Sequence, residues 1–149
     1  MVKFSRSPVI LLLLLLCLTA CNETTLSKTT FSPVEYDQAY QMGQRIKFAD
    51  SGIYMARTSG RSMEPLLPEN TVVLIRPIEF DELEAGMIVG YMMRDGSRVI
   101  HKLIRRAGSD AWIAKGINNP SEDKERVTRE NLLGVLYTVL YNDASASVH

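Results

Sequence analysis

The chain has 149 residues, 46% hydrophobic and 23% charged, with 17 basic side chains balanced by 17 acidic ones. That length supports one domain with a real core and is short for two, while the balanced charge leaves no basic footprint for nucleic acid. Cys17, Cys21, His101 and His149 form no cluster with metal-ligand spacing, and no cofactor is called for.

Lys3 and Arg6 precede an apolar run from Val9 to Leu18, and Leu18-Thr19-Ala20-Cys21 follows. Ten helical residues rise ~15 Å, about half of a ~30 Å hydrocarbon core. The pattern therefore predicts a secretory signal segment over residues 1–20 rather than a membrane span. Its ending resembles a bacterial lipobox, which implies lipidation at Cys21 and a membrane anchor in the cell envelope, facing the periplasm or the exterior. Several acyl chains would be needed, since one alone binds only marginally. The alternatives are plain cleavage near Ala20 and an uncleaved anchor. The remaining chain from residue 21 carries a net charge of about −2 and one cysteine, so it can close no internal disulfide.

Residues 21–31 are rich in Thr and Ser without apolar period and read as a tether. A helical region over 32–50 follows, with Ser32 as N-cap, Pro33 at the first helical position and Glu35 closing a capping box. The helix runs to about Arg45 and packs a stripe of Tyr36, Tyr40 and Ile46. From residue 51 to 141 the segments become short, β-branched or aromatic: Ile53 to Arg57, Thr71 to Arg76, Met87 to Met93, Arg98 to Arg106, Ala111 to Lys115 and Leu133 to Tyr141. Asp95-Gly96 and Gly108-Ser109-Asp110 are hairpin turns between neighbouring runs. The fold class is mainly β with a short N-terminal helix. Residues 142–149 read as a polar, frayed tail. Arg105-Arg106 and Lys124-Glu125-Arg126 read as solvated charge, and Trp112 as a core or rim residue.

The chemistry concentrates in Ser59-Gly60-Arg61-Ser62-Met63-Glu64-Pro65 and, 39 positions after Ser62, in Val99-Ile100-His101-Lys102. A serine hydroxyl is a poor nucleophile until a base takes its proton during attack, and a neutral imidazole suits that task. Two prolines between Met63 and Pro68 keep this chain out of a sheet interior, which leaves Ser62 on an exposed turn. The strand period of two places Val99, His101 and Leu103 on one face and Ile100, Lys102 and Ile104 on the other. Lys102 is the rival base, but using it demands a one-residue register slip that turns every neighbour over. Taken singly, a serine before Met-x-Pro is more often an ST-turn and a strand histidine more often structural.

The Gly60-Arg61-Ser62-Met63-Glu64-Pro65 box resembles that of the signal peptidase and LexA-like serine peptidases, over roughly Ile53 to Leu140. His101 is similar to the histidine base of the eukaryotic and archaeal signal peptidases, where other branches use lysine. Lys115-Gly116-Ile117-Asn118-Asn119-Pro120-Ser121-Glu122-Asp123 resembles that branch's Lys-Gly-Asp-Asn-Asn-x-x-Asp-Asp motif. Asp123 matches its final acid, whereas Ile117 replaces its first aspartate and can orient no imidazole. The resemblance thus implies Ser62, His101 and Asp123 as catalytic residues, with Glu122 as substitute acid or a bare Ser-His dyad as alternatives.

It also implies a coiled antiparallel sheet and an extended polypeptide substrate added as a strand, with Gly60, Met63 and Pro65 against it. The family's serine oxyanion donor corresponds to Gly60, so backbone donors, chiefly the Ser62 N–H, must take that role. A histidine base implies activity that falls below an ordinary imidazole pKa of about 6.5. The function expected is a membrane-associated serine endopeptidase similar to signal peptidase I, acting on exported proteins. Two alternatives stand beside it: a self-cleaving regulator of the LexA and UmuD kind, and an inactive peptide-binding lipoprotein.

Overall fold

A computed structural model describes residues 34–142. The signal segment, Cys21, the tether, Ser32, Pro33 and the tail beyond Asn142 lie outside the described residues. Helix α1 (Tyr36–Ala49) precedes six strands: β1 (Tyr54–Arg57), β2 (Val72–Arg76), β3 (Ile88–Met92), β4 (Arg98–Arg106), β5 (Trp112–Lys115) and β6 (Leu132–Tyr141). They form one antiparallel sheet in the order β1-β2-β6-β3-β4-β5. All six fall within one residue of the runs read from the sequence, and a single 3-10 turn at Phe80–Glu82 is added.

The sheet coils because its ladders are broken by register shifts, at Val72/Val73 and Leu74/Ile75 in β2, Gly90/Tyr91 in β3 and Leu103/Arg105 in β4. Each bulge sharpens the local twist. Coiling gives the sheet a core on both faces. One cluster gathers Phe80, Leu83, Val89, Tyr91, Leu103 and Trp112, and the other Met63, Leu67 and Val73 with Ile88, Ile100 and Leu136 packed on them. Alternate residues of β3 and β4 therefore serve different cores, as the period of two requires. β2 reads Val-Val-Leu-Ile and is buried on both faces: Val73 packs in the second cluster, while Val72 lines a groove with Tyr36 and Tyr40 of α1.

The helix differs from expectation at its start and in its packing stripe. It begins at Tyr36, and Glu35, with extended ψ of 148°, is the N-cap and forms no side-chain cap bond; Ser32, the other half of the expected capping box, lies outside the described residues. The buried helical residues are Ala39 and Gly43, with Tyr36 and Ile46 half-buried and Tyr40 exposed. Small residues win because the helix lies close on the sheet: a Cβ at Gly43 would stand 2.5 Å from Met55 Sδ. Tyr36 instead packs edge-on against Tyr141 at 5.4 Å. Arg105 and Arg106 are likewise engaged rather than merely solvated, the first with Glu122 at 2.9 Å and the second over the Trp112 ring at 4.9 Å.

Gly90 and Gly134 oppose each other between β3 and β6. Gly134 has φ of 145°, and a Cβ there would come within 2.7 Å of the Arg76 carbonyl carbon. Neither conformation nor space admits a side chain. Gly134→Ala is expected to destabilise the domain by about 3 kcal/mol, read as a lowered urea midpoint with unchanged slope. A midpoint within experimental error of the parent would show that the β6 backbone adjusts freely.

Candidate active site

Ser62 sits on the turn of residues 59–70 between β1 and β2. The neck of that turn is closed by Thr58 N–H donating to Thr71 O at 2.9 Å and Asn70 N–H donating to Thr58 O at 3.0 Å. Its underside is plugged by Met63 and Leu67, 4% and 1% exposed, in the second core cluster. Gly60 enters the turn with φ of 81°, a value that suits glycine, and open space lies where a Cβ would point. Met63 and Leu67 thus anchor the turn from below, while Pro65 and Leu66 between them stay exposed.

A second clamp comes from the segment after β5. Asn118 N–H donates to Ser62 O at 2.8 Å, and Asn118 Nδ2 donates to Arg61 O at 3.0 Å. Gly116 permits this approach, since a Cβ there would stand 2.7 Å from Ser62 O. The Ser62 N–H has no partner among the described residues.

His101 comes from β4, opposite Val89 of β3, and shares its face with Leu103. Its Nε2 lies 3.0 Å from Ser62 Oγ, and its Nδ1 lies 2.7 Å from Asp123 Oδ2. The His101 and Asp123 side chains are 9% and 10% exposed. An ionised carboxylate only accepts, so the Nδ1–H donates to Asp123 and the Nε2 lone pair faces the serine hydroxyl. Asp123 is itself placed by its backbone N–H, which donates to Ala114 O at 2.9 Å. A third group completes the set: the Tyr91 hydroxyl donates to the same Oδ2 at 2.7 Å, with its ring edge-on to the imidazole at 6.4 Å. Burial, and then the Asp123 carboxylate, hold the Tyr91 hydroxyl protonated far above the ordinary phenol range.

The structure therefore brings Ser62, His101 and Asp123 together. Lys102 is exposed and belongs to the other face of β4. Glu122 is drawn away by Arg105, and Ile117 is 41% exposed. A cleft of about 340 Å³ opens beside Ser62. Gly60 and Met63 line it, and Ile75, Gly90, Ile100 and Leu133 contribute from four strands. Pro65, expected against substrate, is exposed and outside that lining, on the turn after a cis bond from Glu64. Sequence reasoning missed Tyr91 and the clamping roles of Gly116 and Asn118. The last two carried a signal in the motif itself, whereas Tyr91 looks like any apolar strand residue.

The profile of the family described as Peptidase S24-like matches residues 22–136, well over half of the chain. No curated protein matches it.

Two substitutions probe this geometry. Gly116→Ala should push the Ser62 carbonyl and its turn away from His101, lowering turnover about 10²-fold with a much smaller loss of stability; parallel loss of both would mark Gly116 as a folding residue only. Tyr91→Phe addresses the phenol. A folded pKa above the unfolded value means that neutral Tyr91 stabilises the fold while the unfolded tyrosine is also neutral. That contribution is lost as pH rises above about 10. Chemical denaturation across this range should show the parent losing stability that Tyr91→Phe does not lose, and identical slopes would refute the assignment.

Proposed function

Because the chain belongs to the Peptidase S24-like family, we propose that it is a serine endopeptidase whose nucleophile is Ser62, whose base is His101 and whose orienting acid is Asp123. The single observation that carries this reading is the continuous relay from Asp123 Oδ2 through the imidazole to Ser62 Oγ, at 2.7 and 3.0 Å. Ser62 Oγ attacks a peptide carbonyl while His101 Nε2 takes its proton. Developing negative charge on the carbonyl oxygen meets the unpaired Ser62 N–H, a preorganised donor of the oxyanion-hole kind. The imidazolium, steadied by Asp123, then protonates the leaving amine and frees it. Water attacks the acyl-enzyme, again giving a proton to His101, and the acid product leaves as Ser62 regains its hydrogen.

The substrate in this reading is an extended segment. Among the described residues β1 ends the sheet, so one of its edges is unpaired there and can take a further strand. Its last residues, Arg57 and the following Thr58 and Ser59, line the same cleft as Ser62. Membership of the signal-peptidase-like, histidine-using branch, action on exported proteins and attachment to the envelope through Cys21 belong to the proposal. They are supported by the choice of His101 over Lys102 and by the export-type N-terminal sequence.

Ser62→Ala and His101→Ala should each lower peptide cleavage by at least about 10³-fold, and Asp123→Asn by a comparable factor through loss of the correct tautomer. Circular dichroism and melting should show all three folded. A fluorophosphonate probe should label the parent and leave Ser62→Ala unlabelled. Labelling that survives in Ser62→Ala, or cleavage that survives in His101→Ala, would overturn the assignment; an unreactive Ser62 would favour a peptide-binding relative.

A further inference from the structure

Tyr91 is fully buried on the same face of the sheet as His101: in the β3–β4 ladder it stands opposite Val99, and Val89, two residues earlier, stands opposite His101. Its ring belongs to the first core cluster with Val89, Leu103 and Trp112, where a phenylalanine would pack as well. The hydroxyl sets it apart. A buried phenol needs a partner, and this one directs its only hydrogen at the Asp123 oxygen that also receives the His101 Nδ1–H, each bond being 2.7 Å long. Asp123 Oδ2 is therefore shared, and the two donors compete for its charge.

The charged and titratable groups around this oxygen come from several elements. Among the described residues, Ser62 faces the imidazole from its turn. From the segment after β5, Glu125 acts on the Tyr91 hydroxyl through space, its carboxylate held by the Arg94 N–H at 3.0 Å, and Arg126 donates to the Asp123 backbone carbonyl at 3.2 Å. Lys102 and its β5 partner Lys115 belong to the opposite face, Glu122 is paired with Arg105, and Lys124 is exposed. Burial first, and then the bond to Asp123, keep the Tyr91 hydroxyl protonated well above neutral pH, so it is a constant donor.

We propose that Tyr91 is a positioning residue that acts through Asp123 to set the pH at which His101 becomes available as a base, a role that rests on the peptidase reading. A carboxylate with two donors attracts a further proton less than one with a single donor. The O–H dipole points its positive end at the oxygen that steadies an imidazolium, so the neutral ring is favoured over the charged one. His101 and Asp123 titrate as a coupled pair, and the sign holds wherever the proton resides. Removing the phenol hydrogen raises the proton affinity of the relay, and Ser62 loses its base sooner as the medium is acidified.

The test uses the full chain carrying His149→Asn, which leaves His101 as its single histidine. The pH dependence of Ser62 labelling by a fluorophosphonate probe, and of the His101 ring resonances, is followed in this parent, in Tyr91→Phe and in a protein with a ring-fluorinated tyrosine in place of Tyr91. Tyr91→Phe should move the acid midpoint of both readouts up by about one unit. Below both midpoints its labelling, relative to its own plateau, is then about tenfold slower. Fluorination makes the phenol a stronger donor and should move the midpoints down.

An unmoved midpoint in Tyr91→Phe, alongside a lower melting temperature, would make Tyr91 a packing residue and end the proposal, as would shifts of the same sign in the two variants. If Tyr91→Phe does not fold, the fluorinated protein decides alone, and a midpoint equal to the parent's or above it counts against the role. Opposite shifts of the His101 resonances without labelling of Ser62 would uphold the role and remove the peptidase reading. Labelling of Ser62 with fixed midpoints would do the reverse.

Discussion

Asp123 is a carboxylate taken almost wholly out of water, and an unpaired buried carboxylate costs several kcal/mol. The candidate site is organised around meeting that requirement. Two donors converge on Oδ2, the His101 Nδ1–H and the Tyr91 hydroxyl. One of them fixes the imidazole's tautomer and its plane, so that the opposite ring nitrogen presents a lone pair to Ser62 Oγ. Burial makes each of these bonds stronger and each alternative rotamer dearer, which converts three flexible side chains into one arrangement.

That arrangement is built from elements with little intrinsic reason to meet. Ser62 is carried by a turn whose stiffness comes from Met63 and Leu67 in the core and from the Thr58 and Asn70 bonds at its neck. His101 is carried by a strand whose register is set by pairing with β3, and Asp123 by a segment bonded back to β5 at the Ala114 carbonyl. Asn118 ties that segment to the Ser62 carbonyl, and Gly116 supplies the room. The same segment therefore positions the acid and the nucleophile, so displacing it disturbs both ends of the relay together. The coiling of the sheet, with its bulges and its facing Gly90 and Gly134, brings residues of β1, β2, β3, β4 and β6 to the lining of one cleft.

Local pattern alone determined much of this protein. Six strands lie within one residue of their sequence-derived runs, and β4 with its alternation of faces was legible outright, because side chains on a strand must alternate and one side here is buried. Ser62, His101 and Asp123 were legible through short motifs in a fixed order. The rest depended on contacts between distant segments. The helix start moved to Tyr36 and its buried stripe became Ala39 and Gly43, since closeness to Met55 and Leu140 favours small residues over larger ones. Pro65 belongs to the box in sequence and lies off the cleft in space. Tyr91 carries no local signature at all. Composition and periodicity specify which strands form and which way their side chains face; only the register between strands and the curl of the sheet decide which of those side chains share a site.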